Sequence, residues 1–96
     1  MSIKNKLKIA VIGATGYTGL DLVFMLSKHP KIQIKSLVAT KNLEKNISFF
    51  DKRITKRLPK ISSLKTLDFR MLDLIFLSLP NGEAQKIIKK NFNKYK

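Results

Sequence analysis

The sequence contains no cysteine. That excludes disulfide cross-links and any thiolate metal site within the chain, and it suits a reducing, cytoplasmic setting. Histidine occurs once, as His29, and acids are scarce: 6 Asp and Glu stand against 20 Lys and Arg, a formal net charge of +14. No apolar stretch approaches the ~20 residues needed to cross a bilayer, so no membrane partner is expected. The apolar run that follows Lys4, Lys6 and Lys8 is short and ends in a glycine turn, which marks a core strand rather than a signal peptide. No linker, internal repeat or second domain is visible in 96 residues, a length that holds one domain at most.

The charge raises nucleic-acid binding as a function class. Its make-up argues against it. All basic residues except Arg53, Arg57 and Arg70 are lysine, and they come with many asparagines and isoleucines, a drift of composition along the whole chain. They run from Lys4 to Lys96, densest between Lys52 and Lys65 and again after Lys86. Aromatic residues are not interleaved with them as a stacking platform requires. A solvated basic surface with no specific nucleic-acid partner is expected, binding polyanions only in a salt-sensitive, nonspecific way.

The most informative stretch is Lys8-Ile9-Ala10-Val11-Ile12-Gly13-Ala14-Thr15-Gly16-Tyr17-Thr18-Gly19. A short apolar run over 7–12 stops at Gly13, and an apolar segment of helical character follows from Leu20 to Leu26. This predicts a strand, a tight glycine turn and a helix over 17–28. Glycine lets the backbone approach a ligand closely, and a helix N-terminus points free N–H groups and partial positive charge at it, so the turn suits phosphate. The spacing is G-x-x-G-x-x-G rather than the commoner G-x-G-x-x-G of dinucleotide folds. Thr15 and Thr18 add hydroxyls able to cap the helix or bond a phosphate oxygen.

Leu20, Val23, Phe24 and Ser27 fall on one helical face, and Leu22, Met25 and Leu26 widen it, so the helix is expected to be mostly covered. Asp21 suits the positive end of the dipole, and Lys28-His29-Pro30 closes the helix, with His29 in a structural role. A second strand is predicted over 32–39, which completes a βαβ unit. An NAD site places an acid at the end of this strand. Thr40-Lys41 stands there instead, a hydroxyl and a cation that suit a 2′-phosphate, which favours NADP. Within 41–70, Phe49, Phe50 and Ile54 are expected to pack locally on the sheet. The basic cluster from Lys52 to Lys60 is expected to be a solvated loop or short helix, without chemistry, and 64–68 a short helical turn. Residues 73–79 form a nearly continuous apolar run, as in a parallel strand buried on both faces. The run ends in Pro80-Asn81-Gly82, a second turn at the carboxyl end of the sheet, where ligands of open α/β folds bind. A further helix is predicted from Glu83.

With these pieces placed, the chain resembles the N-terminal part of the N-acetyl-γ-glutamyl-phosphate reductases, of the semialdehyde dehydrogenase group. The matching residues are Val11 to Gly19, His29-Pro30, and Phe76-Leu77-Ser78-Leu79-Pro80-Asn81-Gly82. Asn81 departs from an expected histidine, and Lys41 stands where the family tends to place arginine. The resemblance implies an incomplete Rossmann-like α/β fold, a parallel sheet with flanking helices forming the first half of a dinucleotide-binding domain over 1–96. It implies NADP(H) as cofactor, bound by Gly13, Thr15, Gly16, Tyr17, Thr18, Gly19, Thr40, Lys41, Leu79 and Pro80. It also implies NADPH-dependent reduction of an acyl phosphate to N-acetylglutamate semialdehyde, through a cysteine thioester, in arginine biosynthesis. A chain without cysteine lacks that nucleophile. The expectation is therefore an N-terminal fragment, inactive alone and without the substrate domain. The full-length enzyme would meet the acyl phosphate and form a homo-oligomer.

Rival readings are an aspartate-semialdehyde dehydrogenase, an atypical short-chain dehydrogenase-like NADP-binding fragment, and a non-catalytic nucleotide-binding module. Tyr17-Thr18 disfavours the first, since that group has a single aliphatic residue before the last glycine. The Leu79-Pro80-Asn81-Gly82 ending disfavours the second.

Overall fold

The computed structural model describes residues 6–79. Four strands, β1 (Leu7–Ile12), β2 (Ile32–Val38), β3 (Ile61–Ser62) and β4 (Leu74–Leu77), and one helix, α1 (Tyr17–Ser27), form the framework. The sheet is parallel in the order β3-β2-β1-β4. The chain thus winds outward from β1 through β2 to β3, then returns to place β4 on the other side of β1. This is the strand order of the first part of a doubly wound sheet, with the direction of winding reversing between β1 and β4.

β1 lies at the centre because Ile9, Ala10, Val11 and Ile12 are apolar on both faces, and all four are buried. On one face Ile9, Val11, Ile34, Leu37 and Ile61 pack with Val23 and Leu26 of α1 and with Ile47 and Ile54 from the following loop. On the other, Ala10, Ile12 and Val38 meet Leu67, with Leu64, Phe69 and Leu72 around them. In β2, Ile32 and Ile34 share a face with the odd-numbered Leu37, which an unbroken strand would forbid. A register shift resolves this: Ile9 pairs with Ile34 but Ala10 with Ser36, so Lys35 is the extra residue of a bulge.

Several details differ from the sequence reading. α1 buries Gly19, Val23, Leu26 and Ser27, whereas Met25 is 60% exposed, so the covered stripe is narrower than its composition suggests. Ser27 is tolerated inside because its hydroxyl donates to the Phe24 carbonyl at 2.8 Å. His29 is structural, as expected, its Nδ1 accepting from the Lys31 amide at 3.0 Å. β4 is not buried on both faces: Leu74 is exposed and Ile75, Phe76 and Leu77 are half-buried, because among the described residues only β1 pairs with it. The strand is moored at its start by Asp73, whose carboxylate accepts from the Lys8 amide and whose own amide donates to the Lys8 carbonyl.

Residues 41–60 carry more core than their charge suggests. Ile54 and Ile47 are buried, at 1% and 2% exposure, Phe50 packs beside them, and Phe49 stays exposed in an edge-on contact with Phe50. Arg53 ties this segment to α1. Its guanidinium pairs with Asp21 of the helix and Asp51 of the loop, both at 2.6 Å, and lies 4.5 Å over the Phe24 ring. The hydrogen bonds from Arg53 hold the Asp51 carboxyl below its ordinary pKa. A 3₁₀ turn over Leu64–Thr66 occupies the predicted helical turn. The turn at Pro80-Asn81-Gly82 and the helix from Glu83 lie outside the described residues.

Candidate nucleotide-binding site

The glycines of the turn do different work. Gly13 has φ +88°, a conformation that L side chains rarely adopt, and an added Cβ there would collide with the Ser78 carbonyl and lie 2.8 Å from Leu79 Cδ2. Its missing side chain lets the ends of β1 and β4 close on each other, and the Ser78 amide donates to the Ile12 carbonyl at 2.8 Å. Gly19 permits a second close approach, since a Cβ there would overlap the Gly13 carbonyl and stand 3.0 Å from Ala14 backbone atoms. Gly16 is unlike both. Its φ is negative, at −75°, and the nearest atom to an added Cβ is 3.8 Å away. Nothing among the described residues requires glycine at that position.

The turn is latched to the sheet by the Gly13 and Ala14 amides, which both donate to the Val38 carbonyl, at 2.8 and 3.1 Å. The Leu20 amide bonds the Gly16 carbonyl at 2.8 Å. The amides of Tyr17, Thr18 and Gly19 stand ahead of that bond, where helix N-termini leave donors without intrahelical partners. No side chain caps the helix, so the hydroxyls of Thr15 and Thr18 are not used in that role.

Beside the turn lies an open cavity of about 620 Å³, within the range of small-molecule sites. Its wall comes from the carboxyl ends of all four strands: Ile12, Gly13, Thr15 and Gly16 after β1; Val38, Ala39, Thr40 and Leu43 after β2; Ser63, Leu64 and Lys65 after β3; Ser78 and Leu79 after β4. An apolar floor is thus edged by the glycine turn, four hydroxyls and one cation. Among the described residues no carboxylate stands on it.

Of the residues expected at a cofactor site, Gly13, Thr15, Gly16, Thr40 and Leu79 line this cavity. Tyr17 and Thr18 lie at the exposed start of α1, Tyr17 being 94% exposed, and Gly19 is buried under the turn. Lys41 is exposed and is not on the wall, and Pro80 lies outside the described residues. Leu43, Ser63, Leu64 and Lys65 were not legible as site residues because β3, which delivers the last three, is two residues long. Topology held the missing signal: a doubly wound sheet needs a strand between β2 and the return to β4. The loop from β2 is pinned to β3, the Glu44 amide donating to the Ile61 carbonyl at 2.7 Å and the Ile61 amide to Lys45 at 2.9 Å. Asn42 and Glu44 take positive φ, 61° and 67°, to make that reversal. Among the described residues no cluster of His, Cys, Asp or Glu could hold a metal ion, and no helix is long and apolar enough to cross a membrane.

Known proteins are similar to this chain. A probable chloroplastic N-acetyl-γ-glutamyl-phosphate reductase of Oryza sativa subsp. japonica is 40% identical over 86 residues, covering 88% of this chain and 21% of the rice protein. An N-acetyl-γ-glutamyl-phosphate reductase of Ehrlichia ruminantium (strain Gardel) is 39% identical over 93 residues, 95% of this chain and 27% of that one. The chain therefore spans about a quarter of the length of these relatives. Among solved structures, the aspartate semialdehyde dehydrogenase of Candida albicans with NADP superposes with a TM-score of 0.69 at 28% identity, over 88% of this chain and 26% of that one. Residues 8–95 match the family described as semialdehyde dehydrogenase, NAD binding domain, and the chain belongs to that family.

Proposed function

We propose that the chain binds NADP(H) in the cavity at the carboxyl ends of its strands, as the N-terminal nucleotide-binding part, over 1–96, of an N-acetyl-γ-glutamyl-phosphate reductase. The observation that carries this reading is Gly16. It lines the cavity, yet among the described residues an added Cβ would meet only the Gly13 carbonyl oxygen, at an ordinary contact distance of 3.8 Å, so the space beside it is kept for a ligand. The donors ahead of α1 suit a pyrophosphate, and the apolar floor suits an adenine ring. The two reductase relatives support the reaction class, and the structural neighbour solved with NADP supports the cofactor.

When bound, NADPH supplies hydride; this chain's own residues bind and orient it. Gly13 and Gly16 give the backbone access, Tyr17, Thr18 and Gly19 offer helix-terminal amides, and Thr15, Thr40 and Leu79 edge the cavity. Pro80, also expected from the sequence, lies outside the described residues, and Lys41, likewise expected, is exposed and off the cavity wall. Reduction of an acyl phosphate to N-acetylglutamate semialdehyde needs a nucleophilic thiol, and this sequence has none. In this proposal catalysis, the acyl-phosphate substrate and homo-oligomer formation are assigned to a full-length, cytoplasmic enzyme, and the 96-residue chain alone, having no cysteine, should show no turnover. Aspartate-semialdehyde dehydrogenase is the second reading, favoured by the structural neighbour and disfavoured by Tyr17-Thr18 ahead of Gly19.

Isothermal titration of the protein with NADPH tests the binding claim. Saturable binding that Gly16→Val abolishes, with the circular dichroism spectrum unchanged, is expected. No binding by the parent, or equal binding by the variant, overturns it.

A further inference from the structure

Among the described residues the cavity wall holds one charged side chain, Lys65, in the 3₁₀ turn after β3. Thr40, at the end of β2, and Ser63 share the wall with it. The Ser63 hydroxyl is not used to cap its turn. Every ion pair among the described residues engages Arg53 or Arg70, so the Lys65 ammonium is not committed to a carboxylate. In a doubly wound site the end of β2 is where the adenosine ribose is held, and an NAD site places an acid there to take the ribose hydroxyls. Among the described residues, the wall formed by the ends of β2 and β3 carries the hydroxyls of Thr40 and Ser63, the Lys65 cation and no acid. Lys41, although it directly follows Thr40, is not on the wall.

We infer that Lys65, with Thr40 and Ser63, is the specificity determinant that recognises the 2′-phosphate of NADP(H), and that Lys41 is a solvated surface lysine. The assignment rests on the cavity being the dinucleotide site. It differs from the sequence-based choice of Lys41 because the cation arrives from β3 rather than from the loop that leaves β2. A flexible ammonium held on an open wall acts on a phosphate as a point charge, so the preference for the 2′-phosphorylated cofactor should weaken as salt rises.

The test measures dissociation constants for NADPH and NADH in the parent, Lys65→Met and Lys41→Met, with unfolding curves as a check on integrity. Lys65→Met should weaken NADPH by about 10- to 100-fold, the size expected for one hydrogen bond to a charged group, and leave NADH within about twofold. Lys41→Met should change neither. The selective loss appearing in Lys41→Met instead would overturn the assignment. So would equal losses for both nucleotides in Lys65→Met, which would make Lys65 a general part of the wall. If the parent binds neither nucleotide, the site itself is wrong and the assignment falls with it, an outcome distinct from a parent that binds both without discrimination.

Discussion

Replacing Gly19 by alanine sets two effects of opposite sign against each other. Gly19 lies inside α1, and helix propensity alone makes alanine the better residue there by about 1 kcal/mol. The added methyl, however, would overlap the Gly13 carbonyl and sit 3.0 Å from Ala14 backbone atoms. These neighbours are main chain, held by the bonds to Val38, so no side chain can swing away. Overpacking against such a wall costs typically about 1–3 kcal/mol, and sometimes more. With the overlap set against main-chain atoms the cost lies at the upper end of that range, so the clash wins, for a net loss of about 2 kcal/mol. With a urea dependence of about 1–2 kcal/mol/M for a small domain, the unfolding midpoint should fall by roughly 1 M. Gly13→Ala should fall further, because its methyl meets the Ser78 carbonyl and its φ of +88° adds backbone strain. Gly16→Ala should stay within about 0.5 kcal/mol of the parent. Urea titrations of the three variants give the order directly. A Gly19→Ala protein as stable as the parent would refute the reasoning, since α1 would then be free to slide away from the turn.

Glu44→Gly should stabilise the protein by about 0.5–1 kcal/mol, because a left-handed glutamate costs roughly 1–2 kcal/mol and the added freedom of glycine in the unfolded chain returns about 0.4–1. Asn42→Gly, at a residue that tolerates positive φ, should change little; chemical denaturation of both variants checks the contrast. Ile54→Ala should cost about 2–5 kcal/mol, since Ile54 is 1% exposed, whereas a solvated loop would lose under about 0.5. On the acid side, Asp51 and Asp68 have lowered pKa values, chiefly through hydrogen bonds from Arg53 and Arg70. A depressed carboxyl stabilises the fold above its unfolded pKa near 3.8 and loses that contribution as pH falls through the folded value. The melting temperature should therefore drop below about pH 4, and Arg53→Met should flatten part of that drop in thermal scans from pH 7 to pH 2.5.

The legible parts of the fold were those where one residue pattern admits one backbone. Gly13, Gly16 and Gly19 between an apolar run and a helical stripe specify a strand, a turn and a helix, and β1 and α1 form where that pattern places them. β4 was legible from Leu74 to Leu77, but its exposure was not, because burial depends on which strands flank it. β3 escaped notice since two residues, Ile61 and Ser62, carry no periodicity; their pairing with Leu37 and Val38 is a tertiary fact. The same holds for Ile47, whose burial is masked by the polar residues around it, whereas Ile54 packs as its sequence suggests. The candidate site divides likewise. Its phosphate end is local in sequence, from Gly13 to Gly16, while Ser63 and Lys65 join it only through the order of strands in the sheet.

The most direct test of the central claim is amide chemical-shift mapping of the protein titrated with NADPH. The account predicts saturable shifts at Gly13, Thr15 and Gly16, at Thr40, and at Ser63 to Lys65, around the 620 Å³ cavity. A second cavity, about 340 Å³ and lined by Lys6, Lys35, Lys56 and Arg57, supplies the internal control, because it would attract an anion by charge alone. Shifts confined to that basic cavity, or no saturable shifts at all, would contradict the assignment of the glycine turn as a dinucleotide site.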